Sequence, residues 1–481
     1  MQRHVLFVTL TRYDSALAPQ PYYARAWTWS ADRRTLSMIL EPALRWHDGT
    51  PTTAHDVVFT IRAATDARVG FARAGDLVVL DTAVATSDTS VVLRFRTPQR
   101  GVPAILSELA IVPAHKLARV APADMRRAAF NLEPVGNGPF RFVSRVAGQR
   151  WTFERNPAFP ISMGGAPKIR QLVIAVVDEP TTKFAGLAAG DLDFAGIAPT
   201  MAALAQRDPM IEVLDYPVLF SNALVFNPHR PPFDDVRVRR AVDLSIDRQR
   251  LVRAALAGYG TPAAGPVPPE NPLAGPAGNR RDPPLADSLL DRAGWRRGPS
   301  REGWRAREQP LTVEMLTVGS GDNAVEQLIQ ADLAERGIRV EVRQLEMAAF
   351  LARARSKTKD FDMLITGIPG DLSLSYLRAM YESTQRGSSL DYADFHNAAL
   401  DSAFANARRA VDDGALRSAW HDVQASLAQH TPAAWLYHSR GVQGVSSRMR
   451  NVTMDLRGEL VTVNRWTTER SAPPQGAVAR R

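Results

Sequence analysis

Apolar and polar positions alternate along the chain with two different periods, and together these periods predict a mixed α/β fold. Near the N-terminus, Leu36, Met38 and Leu40 recur at every second position, which is typical of a half-buried strand. The apolar positions of 84–95 flank Ser-Asp-Thr-Ser and predict a hairpin. Between these strands, Thr53-Ala-His-Asp56 has the form of a capping box and is followed by the apolar residues of a helix.

The same reasoning places further elements along the rest of the chain, with the clearest β-α-β pattern at 311–367. The segments 5–11 and 172–177 are expected to be buried strands, because they are short and almost continuously apolar. Eight prolines in 262–284 predict an extended surface loop. Other predicted strands are 140–144, 151–154, 191–194, 311–315, 338–342, 361–366, 435–437 and 461–463. Predicted helices are 180–189, 236–246, 251–256, 285–293, 325–333, 401–410 and 414–429.

Composition limits the classes of protein that fit these elements. The 481 residues are enough for two or three domains, and 45% of them are hydrophobic while 23% are charged. The chain has no cysteine, which excludes disulfides, thiolate metal sites and cysteine nucleophiles. No apolar run approaches the length of a membrane-spanning helix.

The formal net charge of +9 raises nucleic acid as a partner. Nearly all of the positive charge is arginine, however, and it is spread thinly along the chain without stacking aromatics at a regular spacing. We therefore predict no nucleic-acid function.

Two His-Asp pairs, His47-Asp48 and His55-Asp56, are candidates for metal binding or acid-base chemistry. A turn at Asp48-Gly49 and the capping box at Asp56 explain them as well. Because the turn points the two histidines in unrelated directions, we predict that they bind no metal. We also expect no cofactor.

A hydrolase using paired carboxylates is the alternative function. Asp191 and Asp193 alternate with Leu192 on a predicted strand and would point to one side of it. Solvated acids on an edge strand explain the same pattern, and the chain has no Gly-x-Ser-x-Gly, Walker or His-Glu-x-x-His motif. An enzyme is therefore not the favoured prediction.

Several ordered blocks resemble the family 5 solute-binding proteins of ABC importers for peptides and nickel. These blocks are LRWHDGTPTTAHDVVFTI, NGPFRFVSRVAGQRWTFERNPAF and FNPHRPPFDDVRVRRAVDLSIDRQRLVRAALAGYGTPAAGPVPP, with weaker similarity in LLDRAGW, GIRVEV and FDMLITG. The resemblance implies a two-lobed periplasmic-binding-protein fold of type II-like form with an extra α+β domain and a hinge between the lobes. It also implies a monomeric, periplasmic, non-enzymatic protein that captures a peptide or small organic solute and delivers it to ABC permease subunits.

By this resemblance, the first lobe would comprise residues 1–17, 136–228 and 441–468. The extra domain would comprise 18–135 and the second lobe 229–440, and 469–481 is predicted to be a disordered tail. The family has a secretion signal and a longer first strand before the position of Val5, so we expect that the gene starts upstream or that the chain is a fragment.

The resemblance also implies where the solute lies. Val8-Thr9 occupies the place of a Glu-Gly pair that lines the cleft in peptide binders, and GIPGDLSLSYL replaces a stretch with a tryptophan and several acids. The predicted solute-binding residues are Val8, Thr9, Asn222, Phe226, Gly367, Ile368, Asp371 and Tyr376. Asp371 could instead cap the next helix, and Tyr376 and Asn222 could be packing residues. Fewer fixed charges than in peptide binders predict a less cationic or more apolar solute than a free peptide.

Overall fold

The computed structural model describes residues 3–14, 17–71, 73–275, 281–298, 303–319, 323–458 and 460–468. Its internal contacts divide the chain into two compact units. Unit 1 comprises Met1–Tyr216 and Gly441–Arg481, and unit 2 comprises Pro217–Arg440. The predicted tail at 469–481 lies outside the described residues.

Strands and helices alternate through both units, as the sequence predicts for a mixed α/β protein. The strands are β1 Thr11–Tyr13, β2 Pro19–Pro21, β3 Ala24–Trp29, β4 Thr35–Leu40, β5 Leu80–Ser87, β6 Ser90–Phe95, β7 Phe140–Val146, β8 Arg150–Arg155, β9 Gln171–Ala175, β10 Phe194–Gly196, β11 Ile211–Phe226, β12 Gly260–Pro262, β13 Arg296–Arg297, β14 Arg305–Ala306, β15 Thr312–Val318, β16 Arg339–Leu345, β17 Met363–Pro369, β18 Ala433–Ser446, β19 Met449–Arg450 and β20 Thr467–Thr468. The helices are α1 Arg3–Leu6, α2 Ala54–Thr65, α3 Ala114–Leu117, α4 Pro180–Ala189, α5 Ala202–Ala205, α6 Val236–Ser245, α7 Arg248–Ala255, α8 Pro283–Arg292, α9 Ala324–Glu335, α10 Met347–Ala354, α11 Ser375–Tyr381, α12 Ala398–Arg409 and α13 Asp413–His430.

In unit 1, α2 packs on an antiparallel four-stranded sheet with the strand order β3-β4-β6-β5. The predicted strand at Leu36–Leu40 and the predicted hairpin of β5 and β6 are confirmed. Leu36, Met38 and Leu40 are fully buried, and they share a core with Val57 and Ile61 of α2. The period-two and helical patterns of the sequence therefore meet in one apolar layer.

The capping box at the start of α2 is confirmed. Asp56 Oδ2 accepts a hydrogen bond from the Thr53 backbone N–H at 2.9 Å and one from Trp46 Nε1 at 3.2 Å. Its other oxygen, Oδ1, accepts one from the Ala114 N–H at 2.9 Å, and the residue is only 4% exposed. Asp56 thus holds the start of α2, the preceding turn and the start of α3 together.

A second sheet of unit 1 is antiparallel with the order β7-β8-β9, as the sequence predicts for its strands. The prediction that 172–177 is a buried strand was wrong in its burial. Within the described residues β9 pairs only with β8, so Val173 is 48% exposed while Leu172 and Ile174 pack against the core. One face of this edge strand stays in solvent.

The segment 5–11 is not a strand, which corrects the sequence-based prediction. It begins in the short helix α1 and continues without regular structure to β1. Its backbone is satisfied by a loop instead of a sheet: Leu6 O accepts hydrogen bonds from the N–H groups of Asn137 and Gly138, at 2.9 and 2.7 Å. A Cβ at Gly138 would overlap the Leu6 carbonyl, so the loop approaches this closely only because it carries a glycine there.

Three other predictions differ from the structure in position or type. The residues 461–463 were predicted as a strand, but Val463–Arg465 forms a 3-10 helix. The strand predicted at 191–194 is β10, which begins only at Phe194. The strand β18 extends far beyond its predicted 435–437, and β11 was not predicted at all. By contrast, α4 matches its predicted bounds and ends at Gly190, whose φ is 79°.

The sheet of unit 2 has helices on both faces. The strands follow the order β18-β11-β17-β15-β16, with β12 on β18, and β15 is parallel to both β16 and β17. Ala223 and Val225 belong to the core on one face, whereas Leu224 and Phe226 belong to the core on the other. This double burial explains why β11 is continuously apolar over these residues. The predicted β-α-β of β15, α9 and β16 is confirmed.

A buried hydrogen bond of 2.8 Å joins Ser221 Oγ on β11 to His438 Nδ1 on β18. His438 is 3% exposed, and burial lowers its pKa from 6.5 to about 4. The imidazole is therefore neutral in the folded protein at neutral pH.

None of the helices among the described residues is long and apolar enough to cross a membrane.

We expect the variant Asp56→Ala to lose about 3 kcal/mol of unfolding free energy, because three hydrogen bonds to a buried carboxylate and a helix cap are removed. Urea unfolding of the full chain measures this loss. The matched control is Asp88→Ala, whose side chain is 78% exposed and which we expect to change stability by less than about 0.5 kcal/mol. Equal losses in the two variants would contradict the role of Asp56.

A pH series tests His438. Its folded pKa lies below its unfolded pKa, so its contribution to stability is complete above pH 6.5 and is lost as the pH falls towards 4. Relative to pH 7, the wild type should lose roughly 2 to 3 kcal/mol more than His438→Asn by about pH 4.5. The control His55→Asn, at a 67% exposed side chain, should follow the wild type. Parallel curves for the wild type and His438→Asn would refute the buried neutral imidazole.

Candidate functional site

The carboxyl ends of the parallel strands mark one edge of the unit 2 sheet. The strands β15 and β17 run in the same direction and end at Val318 and Pro369. In open α/β sheets, ligands bind just beyond the carboxyl ends of the parallel strands. The antiparallel neighbour β11 enters the sheet at this edge, where Phe220 pairs with Pro369. This edge, between Phe220 and Asn222 on β11, is the candidate site in unit 2.

A row of small and polar residues crosses three neighbouring strands at this edge. Asn222 on β11 is paired in register with Gly367 on β17. On the other side, Asn222 Nδ2 donates a hydrogen bond of 2.9 Å to Ser439 Oγ on β18. All three residues are partly exposed, whereas Leu224 on the same face of β11 is buried. The row therefore lies where the apolar core of that face ends.

Phe220 forms an apolar patch beside this row. It lies two positions before Asn222, on the same face of β11, and is 38% exposed. A Cβ at Gly367 would overlap the Phe220 ring, so the ring rests directly on the glycine backbone. A solute at this edge would meet an aromatic ring and an amide side by side.

The Asp371 carboxylate accepts hydrogen bonds from the turn before α11 and from the first residues of that helix. Oδ1 accepts hydrogen bonds from the backbone N–H groups of Ser373 at 2.8 Å and Ser375 at 3.0 Å, and from Ser373 Oγ at 2.6 Å. Oδ2 accepts from Ser375 Oγ at 2.6 Å and from the Tyr376 N–H at 3.3 Å. Asp371 is 7% exposed. These contacts support the capping role that the sequence left open for this residue.

Three other predicted site residues are packed in the cores of unit 2. Ile368 and Phe226 are 0% exposed, and the Phe226 ring stacks on Phe233 at 4.9 Å. Tyr376 is 3% exposed, its hydroxyl donates to Pro266 O at 2.8 Å, and burial raises its pKa well above 10. Their placement is that of packing residues.

Val8 and Thr9 lie inside unit 1. Val8 is fully buried, and its N–H donates to Asn137 Oδ1 at 3.0 Å. Thr9 is 1% exposed, and its hydroxyl donates to Thr11 O at 2.7 Å. The structure therefore brings Asn222 and Gly367 together and leaves the other predicted residues in local structural roles.

Sequence reasoning missed Phe220 and Ser439. Both lie on long strands of which the sequence predicted only a part or nothing. Period-two spacing from Asn222 to Phe220 would have been the available signal for the aromatic residue. No local signal marks Ser439, because its partner Asn222 is more than two hundred residues away in the chain.

The side chains of the two His-Asp pairs make structural contacts with neighbouring residues. His47 Nε2 lies 3.0 Å from Gly138 O, and burial lowers the His47 pKa to about 4. Asp48 contacts His115 Nε2 at 2.8 Å and Lys116 Nζ at 3.1 Å. His55 Nε2 lies instead 3.7 Å from Asp88 Oδ1. The two histidines have different neighbours, as their turn geometry predicts.

Among the residues that the structure describes, one group has ligand atoms close enough to share a metal ion: Asp391, Asp394 and His396 of unit 2, within 4.8 Å of one another. The carboxylate oxygens of this group already accept hydrogen bonds from other residues of the protein. Asp391 Oδ2 accepts from the Gly387 N–H at 2.7 Å, and Asp394 receives Arg386 through both carboxylate oxygens at 2.7 and 2.8 Å. The cluster is accounted for as an ion-pair network.

Neither carboxylate of the alternative hydrolase lies on a strand, because β10 begins only at Phe194. Asp193 is held by Arg448 Nε, and its backbone O accepts from the Ser446 N–H at 2.8 Å. Asp191 is exposed and precedes β10 instead of alternating on it. This arrangement removes the basis of that alternative.

Comparison with known proteins gives one consistent result. The family model of the bacterial extracellular solute-binding proteins, family 5, matches residues 18–388. Protein XP55 of Streptomyces lividans is 28% identical over 438 residues, which are 90% of this chain and 78% of that protein.

Solved structures agree in fold. NikZ from Campylobacter jejuni, in complex with Ni(L-His), superposes with a TM-score of 0.85 at 22% identity, over 96% of this chain and 94% of that one. AppA from Bacillus subtilis, in complex with a nonapeptide, gives 0.84 at 22% identity, over 97% and 94%. These matches confirm the predicted periplasmic-binding-protein fold class. The chain belongs to the bacterial extracellular solute-binding proteins of family 5, which are binding components of ABC importers and not enzymes.

Proposed function

We propose that this protein captures a peptide or another small organic solute in the periplasm and delivers it, as a monomer, to the permease subunits of an ABC importer. The observation that carries this proposal is the partly exposed row of Ser439, Asn222 and Gly367 beside Phe220. It combines hydrogen-bonding groups with an apolar ring at the carboxyl ends of parallel strands, which is where α/β sheets bind ligands. Related proteins bind a nonapeptide and a nickel-histidine complex.

We further propose that the chain is organised as two lobes with an extra domain at 18–135. The core that contains the four-stranded sheet and α2 supports this division, because its members from Tyr23 to Ile111 all fall within these bounds. Val8, Leu10, Phe159 and Met163 join that core from the flanking segments. The extra domain would then be anchored to the first lobe through shared apolar packing.

The chemistry of the candidate row favours a solute, or a part of a solute, without a positive charge. Asp371 is the only carboxylate in 367–376, and five hydrogen bonds from the start of α11 occupy both of its oxygens. An incoming ammonium group would have to compete with these donors. Asn222 and Ser439 offer neutral hydrogen bonds, and Phe220 offers apolar surface. Phe226, Ile368 and Tyr376 would shape the site through packing in the cores of unit 2.

Native mass spectrometry of the full-length protein, purified from its own cell without denaturation, tests the proposed function. We expect one small molecule bound per chain and released on unfolding, without a free amine as its main contact. Calorimetry with matched free and N-acetylated short peptides tests whether the solute binds without a positively charged group. Amine-dependent tight binding would contradict the proposed solute chemistry, and a folded protein with no bound solute and no thermal shift across a solute library would contradict capture itself.

The variant Phe220→Ala should retain about tenfold less of the co-purifying solute, because the exposed ring is removed while the strand pairing remains. Gly367→Ala should have a similar effect from the opposite side, since its Cβ would displace the ring. The matched control is Gly101→Ala, where a Cβ meets nothing within 4 Å. Solute retention at the wild-type level in Phe220→Ala, measured by native mass spectrometry, would exclude this edge as the site.

A further inference from the structure

Unit 2 contains a separate cavity of about 340 Å³ that shares no residue with the row of Ser439, Asn222 and Gly367. Its walls come from α13, from the loop before Gly275, from the start of β18 and from one residue of α6. The buried side chains of Val267, Leu427 and Trp435 form much of the apolar wall. A volume of this size is at the lower end of the range for small-molecule sites.

A buried carboxylate lines this cavity. Asp243 of α6 is 6% exposed, and one of its oxygens, Oδ1, is bound by Arg248 Nη2. Arg248 is held in turn by Trp435 O at 2.6 Å and Asp243 O at 3.0 Å. Among the residues that the structure describes, no donor reaches the other carboxylate oxygen, Oδ2. Oδ2 is not fully buried, so it is open to the cavity and can accept a hydrogen bond from a ligand donor.

Within the described part of the chain, the other polar groups of the cavity wall do not donate a hydrogen bond to Asp243 Oδ2. Both amide atoms of Gln424 are used: Oε1 accepts from the Gly275 N–H at 2.8 Å, and Nε2 donates to Leu273 O at 2.9 Å and Trp420 O at 3.0 Å. His421 Nε2 lies 3.3 Å from Ala274 O. Asp422 adds a second carboxylate on the exposed side of α13. The unused hydrogen-bonding capacity of the cavity is therefore mainly that of acids.

The charge balance favours a cation. Burial raises the pKa of Asp243, although the positive charges of Arg248 and Arg240 oppose the rise. Among the residues that the structure describes, Arg248 is the only cation that forms an ion pair with Asp243, and Asp422 adds a second carboxylate to the lining of the same cavity. A ligand that carries both a positive donor and an apolar body would match the acids and the apolar wall together.

We propose that this cavity is a second ligand site, which takes a small organic cation with an amidinium or primary ammonium group on Asp243 and an apolar body against Val267, Leu427 and Trp435. The site would hold its ligand independently of the solute bound at the edge of the sheet. Charge-assisted hydrogen bonding to Oδ2 would provide specificity, and the apolar wall would provide contact area.

Benzamidine is a suitable probe, and benzamide is its uncharged counterpart of nearly the same shape. Isothermal titration calorimetry on the full-length protein should show that benzamidine binds at least about tenfold more tightly than benzamide, because only the amidinium gives a charge-assisted contact. Asp243→Asn should reduce benzamidine affinity by about the same factor. Equal affinity for the two probes would overturn the proposal.

A second variant keeps the test decisive if Asp243→Asn does not fold. Ala425 is an exposed residue of α13 that lines the cavity, so Ala425→Leu should block benzamidine without touching Asp243. The matched control is Ser418→Leu, at an exposed position of the same helix outside the cavity lining. Loss of binding in Ala425→Leu alone supports the site. Unchanged binding in Ala425→Leu, or equal loss in both leucine variants, places the probe elsewhere and overturns it.

Discussion

The register between β11 and β17 is the constraint on which unit 2 and its candidate site depend. Seven residue pairs, from Phe220–Pro369 to Phe226–Met363, fix which side chains enter each of the two cores. A shift by one residue would move Asn222 to the opposite face and bury it in the other core. The same pairing places Gly367 beneath the Phe220 ring, so the aromatic surface and the amide of the site follow directly from the register.

Helix capping decides which acids remain available for binding. Asp56 in unit 1 and Asp371 in unit 2 follow a common rule: each directs a buried carboxylate at the N–H groups of a helix start. Neither carboxylate is left to serve a ligand. Asp243 differs, because it lies near the end of α6 and is met by a guanidinium on one oxygen only. Asp243 caps no helix start, so one of its carboxylate oxygens remains available to a cationic ligand.

Short-range sequence patterns were sufficient to predict those elements that depend on residues close together in the chain. The capping box of α2, the glycine that ends α4 and the β-α-β of unit 2 all follow from short spacings. The strand β11 escaped prediction because Pro217 interrupts it and because both of its faces are buried over 223–226, which leaves no alternation to recognise there. Period-two spacing from Asn222 could have placed Phe220 on the same face of its strand, but its contact with the distant Gly367 and its exposure follow only from the fold.

The arginine-rich composition has a structural use that the net charge alone does not reveal. Arg239, Arg248 and Arg305 are each at most 5% exposed, and each donates to several backbone carbonyls. Arg239 binds His430 O and Thr431 O, and so satisfies carbonyls at the end of α13 that have no helical partner. A planar guanidinium can serve several acceptors at once, which a lysine cannot do with the same geometry. Part of the high positive charge is therefore committed to holding loops and helix ends of unit 2.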